Sequence, residues 1–318
     1  MTWNLFTGDG VPHRAEADKE AWEEIPPLRS WRQRSVGRAP VFDMPEGLAD
    51  AVNAALHLRR PILLTGGPGS GKSTLVDLIA AELELGTVLR WHITSKSTLT
   101  EGLYEYDALG RLHVTQEPGA DPASAAPENF VTLGALGTAL AAGKIRSKVR
   151  AVLVDEIDKS DLDLPGDLLN VMEHGEFTIP VLARTKSATP FTVKGADGCE
   201  YVVDPDGVAR RQHFPVIVFT SNGERTFSPP FLRRCVRFDM PPADEDRLVR
   251  IVTAHLSSAD VATERPVIAD FATRLQAGDS LALNQILEFV YLVTGGSAPD
   301  SDARENLRAI LLKELSGS

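Results

Sequence analysis

The stretch Pro61-Ile-Leu-Leu-Thr65-Gly66-Gly-Pro-Gly-Ser-Gly71-Lys72-Ser73-Thr74 decides the fold of this 318-residue chain. A short apolar run leads into a glycine-rich loop of the pattern G-x-x-x-x-G-K-[ST], and a helical pattern continues to Leu83. Glycines allow backbone angles that turn successive N–H groups inward, and the following helix offers its positive end to the same anion. The stretch therefore predicts a strand, a phosphate-binding loop and a helix.

The loop residues have distinct expected roles toward a nucleotide. Lys72 would neutralise the β- and γ-phosphates as a point charge, and the Ser73 hydroxyl would bind Mg²⁺. The expected cofactors are therefore ATP and Mg²⁺. A plain glycine-rich turn is the alternative, but the strand before the loop and the helix after it argue against that interpretation. The predicted cofactor-binding residues of this loop are Gly66, Gly67, Pro68, Gly69, Ser70, Gly71, Lys72, Ser73 and Thr74.

A second apolar strand, Ala151 to Val154, runs into Asp155 and Glu156. In open α/β sheets, ligands bind at the edge where the carboxyl ends of the strands lie. We therefore expect Asp155 to hold Mg²⁺, largely through water, and Glu156 to act as the general base that polarises the attacking water.

Polar and cationic residues follow a further apolar strand, Pro215 to Thr220. Asn222 would lie beside the γ-phosphate and help to position the lytic water, although an asparagine at a strand end is more often simply a turn former. Farther along, Arg233 and Arg234 end a short apolar helix. They could form a solvated cationic face, or they could reach a phosphate across a subunit boundary.

The chain divides into three parts by composition and periodicity. Residues 1–40 are rich in Trp, Pro and charge, and they predict either an arm docked on the core or a neighbour, or a partly ordered tail. Residues 41–242 alternate buried strands with helices, which indicates a parallel, doubly wound sheet. Insertions are expected at about 95–130 and 176–214, the second with a hairpin pattern. After Pro241 and Pro242, residues 243–318 predict a small domain of helices at 244–256, 267–276, 284–294 and 303–315.

Composition argues against several classes of protein. The formal net charge of −11 argues against general nucleic-acid binding. Cys199 and Cys235 lie far apart without metal-ligand spacing, so reduced thiols are expected. No apolar run approaches the roughly 20 residues of a membrane helix, and no secretory signal is visible, so we expect a cytoplasmic protein.

The order of these motifs resembles that of AAA+ ATPases. Four further segments narrow the resemblance to the MoxR-like branch, over about residues 40–295: Leu133 to Leu140, Asp155 to Lys159, Leu164 to Asn170 and Gly175 to Pro180. The resemblance implies a three-layer αβα P-loop core followed by a small all-helical lid domain. It also implies an insertion in the second helix and a β-hairpin before the sensor-1 strand, which are the places of 95–130 and 176–214. A ring, usually a hexamer, with ATP at each subunit boundary is implied as well.

The resemblance also assigns roles to single residues. Asp155 and Glu156 take the places of the Walker B pair, and Asn222 takes that of sensor 1. Arg234 stands where the trans-acting arginine finger usually lies, and Arg233 could share that role. Such a finger stabilises transition-state charge only after assembly.

The chain departs from this family at a second sensor. Many relatives carry an arginine on the third lid helix, where this chain has Leu281-Ala-Leu-Asn-Gln285. Either Asn284 or Gln285 makes a weaker contact with the nucleotide, or the lid senses it otherwise.

Two functions fit these expectations. The first is a ring-forming chaperone or remodeller that hydrolyses ATP and acts on an unknown protein partner. The second is an ATP-gated scaffold or switch with slow turnover, as in a bacterial defence system. A P-loop kinase fits poorly, because the paired acids and arginines suit water attack and ring assembly. Tyr104, Tyr106 and, less suitably, Tyr201 would be pore-loop aromatics if the ring threads a substrate, whereas packing of the insertions is the favoured alternative.

Overall fold

The computed structural model describes residues 42–119, 121, 123–142, 149–185, 187–256, 258–279, 281–294 and 299–313. The predicted N-terminal arm, residues 1–40, lies outside these residues. The chain forms two compact units. The larger comprises Met44–Gly66 and Gly71–Met240, and the smaller comprises the described parts of Met1–Asp43, Gly67–Ser70 and Pro241–Ser318.

The larger unit contains both strands and helices. Its strands are β1 (Ile62–Thr65), β2 (Leu89–His92), β3 (Tyr104–Tyr106), β4 (Val131–Leu133), β5 (Ala151–Asp155), β6 (Glu176–Thr178), β7 (Phe191–Lys194), β8 (Glu200–Val203), β9 (Val208–Arg210), β10 (Val216–Ser221) and β11 (Val236–Asp239). Its helices are α1 (Leu48–Leu58), α2 (Lys72–Glu82), α3 (Leu99–Leu103), α4 (Ala108–Gln116), α5 (Ala135–Ala141), α6 (Leu164–His174), α7 (Pro180–Ala183) and α8 (Pro229–Arg234), with 3₁₀ turns at Pro127–Phe130 and Ile157–Lys159. The smaller unit adds α9 (Glu245–His255), α10 (Ser258–Ala277), α11 (Leu283–Thr294) and α12 (Ser301–Leu311).

A five-stranded sheet forms the core of the larger unit. Its order is β11-β1-β10-β5-β2, and every neighbouring pair is parallel. All six residues of β10 are buried, as expected for a strand whose two faces are both covered by helices. The parallel α/β core with a helical C-terminal region is therefore confirmed. Because β10 lies between β1 and β5, the loops that follow these three strands lie side by side.

The two predicted insertions contribute to a second sheet of order β3-β4-β7-β8. The hairpin expected in 176–214 is present, with β7 and β8 antiparallel. The sequence did not predict β4, and it placed Leu133 at the start of a helix, whereas Leu133 ends β4 and α5 begins at Ala135. A strand of three residues is too short to show a period of two.

A buried polar cluster fixes the β7–β8 hairpin. Arg150, directly before β5, donates through Nη1 to Asp197 Oδ2 at 2.7 Å and to the Tyr201 hydroxyl at 2.8 Å. The Tyr201 hydroxyl donates in turn to Asp197 Oδ2 at 2.9 Å. Burial opposes ionisation of Asp197, but hydrogen bonds from Arg150, Cys199 and Tyr201 and the charge of Arg150 leave its pKa below the ordinary value. Burial and the hydrogen bond to Asp197 raise the pKa of Tyr201 to about 12.

The smaller unit packs its helices around an apolar core. Its fully buried side chains include Leu248, Ile268, Phe271 and Phe289. The predicted start of a helix at residue 267 is wrong, because α10 begins at Ser258 and continues through Pro266. Proline lacks the N–H that a helix interior uses, which is why the sequence suggested a boundary there. Buried Val261 before the proline and Ile268 after it show that packing overrides that preference.

Candidate functional site

The predicted phosphate loop connects β1 to α2. Gly69 has φ 72° and Gly71 has φ 92°, a backbone conformation that residues with a side chain rarely adopt. The Ser70 N–H donates to the Gly67 carbonyl at 3.3 Å, so the loop closes in a tight turn. Pro68 and Thr74 are half-buried, and Thr74 lies on α2. The predicted strand, loop and helix are therefore present in that order.

Lys72 is the first residue of α2, and its side chain is buried. Its Nζ donates to the carbonyl of Gly66 at 2.7 Å and to Asn222 Oδ1 at 3.0 Å. Burial lowers the pKa of Lys72, while the negative charges of Asp155, Asp158 and Glu156 oppose that shift. An ammonium group is thus held inside the site among carboxylates.

Asp155 and Ser73 come together at the carboxyl edge of the main sheet. The Ser73 hydroxyl donates to Asp155 Oδ1 at 3.1 Å. Thr220, at the end of β10, donates to the same oxygen at 2.5 Å and accepts the backbone N–H of Glu156 at 2.9 Å. The sequence analysis missed this role of Thr220. Its signal lies in the sheet register, in which Phe219 pairs with Val154 and Thr220 therefore stands opposite Asp155.

Glu156 leaves the strand in a left-handed backbone conformation, with φ 60° and ψ 48°. Its Oε2 accepts a hydrogen bond from Lys159 Nζ at 2.7 Å and lies 3.6 Å from His92 Nε2. Its Oε1 accepts from Asn222 Nδ2 at 3.3 Å. Burial tends to raise the pKa of Glu156, but Lys159, His92 and Asn222 together lower it below the ordinary value. The carboxyl group is therefore ionised at neutral pH. The sequence analysis did not identify Lys159 or His92 as its neighbours.

Asn222 joins the two halves of the site. Its side-chain oxygen accepts from Lys72, and its side-chain nitrogen donates to Glu156. The amide therefore bridges the ammonium of the phosphate loop and the carboxylate that follows β5. Its expected role beside a γ-phosphate stays a prediction.

Arg233 and Arg234 lie outside the hydrogen-bonded cluster of Lys72, Asn222 and Glu156 described above. Both are exposed and lie at the end of α8, just before the amino end of β11. Arg234 forms an ion pair with Glu173 of α6, and both side chains are about half exposed. Solvent screens such a pair, so it holds Arg234 weakly.

The alternatives for the tyrosines and for the second sensor can also be compared with the structure. Tyr104 stacks on Phe177, Tyr106 accepts a hydrogen bond from Arg111, and Tyr201 is buried, so all three pack within the insertions. Gln285 Nε2 donates to the carbonyls of Leu311 and Lys313, so this side chain binds its own helical unit. Asn284 is exposed and donates to Glu288 at 3.4 Å.

Two further properties concern the described residues as a whole. No group of three or more His, Cys, Asp or Glu side chains there forms a ready-made metal site. None of the helices in this part of the chain combines the length and the apolar character needed to cross a bilayer.

Comparison of the chain with known proteins identifies its family and several similar solved structures. No curated protein sequence matches the chain. Similar solved structures include a point mutant of Thermotoga maritima RuvB, with 14% identity and a TM-score of 0.40, over 83% of this chain and 68% of that one. NtrX from Brucella abortus in complex with ADP has 13% identity and a TM-score of 0.40, over 84% of this chain and 54% of that one. The family model described as AAA domain (dynein-related subfamily) matches residues 61–235, more than half of the chain. The chain therefore belongs to the AAA domain family, in its dynein-related subfamily.

Proposed function

We propose that the protein is a Mg²⁺-dependent ATP hydrolase of the MoxR-like branch of AAA+ proteins, active as a ring. The observation that carries this proposal is the bridge formed by Asn222 between Lys72 and Glu156, beside the Ser73–Asp155 pair. A structural glycine turn would not require a buried ammonium, two carboxylates and an amide at one sheet edge. Hydrolysis of a nucleoside triphosphate with its metal uses each of these groups: the ammonium on the phosphates, one carboxylate on the metal, and the other carboxylate with the amide on the water.

The residues present fit both ATP and Mg²⁺. Lys72 Nζ already points at backbone and amide oxygens, and the loop N–H groups with the start of α2 suit phosphate. Ser73 and Asp155 offer two oxygen ligands 3.1 Å apart, the donor type that Mg²⁺ prefers. Bound Mg²⁺ would neutralise charge on the phosphate oxygens.

Glu156 and Asn222 supply the hydrolytic step. The ionised Glu156 carboxylate accepts a proton from a water molecule while the water oxygen attacks the γ-phosphorus. The bond from that phosphorus to the β–γ bridging oxygen breaks, and ADP leaves. The Asn222 amide orients the water, and Lys72 stabilises the charge on the phosphates.

The sheet topology favours a role for Arg234 in a neighbouring subunit. Arg234 lies at the amino end of β11, whereas the phosphate loop follows the carboxyl end of the adjacent strand β1. Four residues at about 3.3 Å each place these two ends about 13 Å apart. The arginine of one chain therefore suits the nucleotide of another copy, in a head-to-tail ring, usually a hexamer in this branch. We propose Arg234 as the finger and Arg233 as a neighbour that could share its role.

The ring would act on a protein partner as a chaperone or remodeller. The alternative, a nucleotide-gated scaffold with slow turnover, has one observation in its favour. Gln285, one of the two candidates for the position of the second sensor, is bound within its own helical unit. A chain without that sensor would couple its helical unit to turnover less directly.

Substitution of Glu156 tests the hydrolytic role. Glu156→Gln should bind ATP with nearly unchanged affinity, because Lys72, Ser73 and Asp155 remain, but its turnover should fall by a factor of about 100 or more. Calorimetry measures the binding, and a phosphate-release assay measures the turnover. Glu105→Gln, a change of an exposed glutamate on β3, is the matched control and should turn over normally. Undiminished phosphate release by Glu156→Gln would remove Glu156 as the base.

A further inference from the structure

Asp158 is a buried carboxylate close to the candidate site, and beyond its charge effect on Lys72 no role has been given to it above. It lies in the 3₁₀ turn that follows Glu156, and only 5% of it is exposed. Its Oδ2 accepts two backbone hydrogen bonds, from the N–H of Asn222 at 3.0 Å and from that of Glu224 at 3.1 Å. One oxygen therefore holds both sides of the bend that follows β10.

The bend held by Asp158 is fixed at each of its residues. Gly223, between the two bonded amides, has φ 82°, and its own N–H donates to the Ser221 hydroxyl at 3.0 Å. Three successive N–H groups of this loop are thus bound by side chains. The position of Asn222 is set from outside the loop, because β5 and its following turn carry Asp158.

The second oxygen of Asp158 has an unusual environment. Oδ1 is buried and has no hydrogen-bond partner among the described residues. The charge of Lys72 interacts with this carboxylate, so the buried negative charge of Asp158 has a positive neighbour.

Small movements of Asn222 would separate the groups that it joins. Its side-chain oxygen accepts a hydrogen bond from Lys72 at 3.0 Å, and its side-chain nitrogen donates one to Glu156 at 3.3 Å. The next residue in the turn, Lys159, binds Glu156 itself at 2.7 Å. A single turn therefore fixes the general base through Lys159 and the asparagine through Asp158.

We infer that Asp158 is a positioning residue for hydrolysis, which acts through the backbone of Asn222. Its hydrogen bonds go to backbone N–H groups, so it would act without touching the phosphates or the water. The inference rests on the proposed role of Asn222 in ATP turnover and adds the residue that keeps Asn222 in register with Glu156.

A double-mutant cycle between Asp158 and Asn222 tests this role. Asp158→Ala should lower kcat by about 10- to 100-fold, as expected when a catalytic group is displaced, with little change in KM for ATP. In an Asn222→Ala background, Asp158→Ala should cause no further loss, because its route to the reaction is already gone. Asp158→Asn, whose amide oxygen can still accept both N–H groups, should recover most of the lost turnover.

Asp161→Ala is the matched control. The Asp161 side chain also accepts a backbone N–H, that of Leu164 at 2.8 Å, whereas the contact of Asp161 with Arg225 runs through its backbone carbonyl and is kept in the alanine variant. Asp161→Ala should lower kcat only slightly, and in the Asn222→Ala background its fold-loss should multiply with that of Asn222→Ala. If Asp158→Ala does not fold at the assay temperature, Asp158→Glu replaces it in the same cycle, since its longer side chain moves the acceptor while keeping the charge.

The outcomes distinguish the inference from the proposed function. Losses that multiply in the double mutant, or a change confined to KM, would overturn the role of Asp158 while leaving the hydrolase intact. An Asn222→Ala protein with full turnover would instead contradict the proposed role of Asn222 and the role of Asp158 together.

Discussion

Thr220 illustrates how one hydroxyl group can organise two catalytic candidates. Its side chain is fully buried at the end of β10, where it donates to Asp155 Oδ1 and accepts the backbone N–H of Glu156. The same oxygen of Asp155 also accepts from Ser73. Thr220 therefore orients a proposed metal-binding carboxylate and fixes the backbone of the proposed base.

Replacement of Thr220 should weaken the proposed metal site. Thr220→Val keeps the volume but removes the hydroxyl, so the Mg²⁺ concentration that gives half-maximal ATPase activity should rise by about 10-fold or more, the usual effect of losing a group that orients a ligand. A magnesium titration of the ATPase rate measures this effect. Thr220→Ser retains the hydroxyl and should behave like the unmodified chain. An unchanged magnesium requirement in Thr220→Val would contradict the assignment.

At the scale of elements, the Arg150 cluster connects the β7–β8 hairpin to the start of β5. The Arg150 and Asp197 side chains are 7% and 12% exposed, so their ion pair is largely shielded from solvent. Tyr201 lies on β8 and binds both partners. The insertion is thereby tied to the strand that ends at Asp155 and is followed by Glu156.

Removal of Asp197 should destabilise this connection. Asp197→Ala leaves a buried guanidinium without its carboxylate, so the free energy of unfolding should fall by about 3 kcal/mol, against about 1 kcal/mol for Tyr201→Phe. Chemical denaturation at neutral pH measures both changes. Equal effects of the two substitutions would argue that the charge of Asp197 contributes nothing.

The effect of Asp197 should also depend on pH. The folded-state pKa of this carboxyl lies below the ordinary value of 3.8, so its stabilisation is fully present above that value. The stabilisation is lost as the pH falls through the lowered folded-state pKa. The difference between Asp197→Ala and the unmodified chain should therefore shrink in acid.

The sequence predicted the elements better than the contacts between them. The apolar runs of β1, β5 and β10 and the glycine pattern were sufficient to predict the core, and they led to Lys72, Ser73, Asp155, Glu156 and Asn222. Thr220, Asp158 and His92 were missed because their roles depend on which strands are neighbours and in which register. The order β11-β1-β10-β5-β2 is a property of the assembled sheet, and no local pattern encodes it. The short strand β4 and the passage of α10 through Pro266 were missed, because packing against the rest of the fold, and not local sequence, determines whether these elements form.

At the scale of the whole molecule, the proposed chemistry is divided between two edges of one sheet. The phosphate loop, the acids and Asn222 lie at the carboxyl edge, and Arg233 and Arg234 precede the amino end of β11. A head-to-tail arrangement of copies would bring the two edges together. The exposed pair of Arg234 with Glu173 is weak, so it would not prevent the proposed contact with a phosphate of another copy.

Mixing two inactive variants tests this division. Arg234→Ala should lower turnover by about 1,000-fold, the usual effect of losing an arginine finger, and Glu156→Gln should be inactive for its own reason. In a mixture, an intact site of the first variant can meet an intact arginine of the second, so phosphate release should exceed the sum of the separate rates. Arg233→Ala should lower turnover much less than Arg234→Ala does. A mixture no more active than its components would contradict action across a subunit boundary.

The left-handed backbone of Glu156 sets the stability of the fold against the proposed turnover. Such a conformation costs a glutamate of the order of 1–3 kcal/mol, a noticeable share of the roughly 5–15 kcal/mol that separates folded from unfolded domains. Asparagine or glycine would occupy this position with less strain, yet neither would carry a carboxylate to the same point. Selection for stability alone would therefore favour asparagine or glycine here, and the proposed role as general base is what would retain glutamate despite the strain.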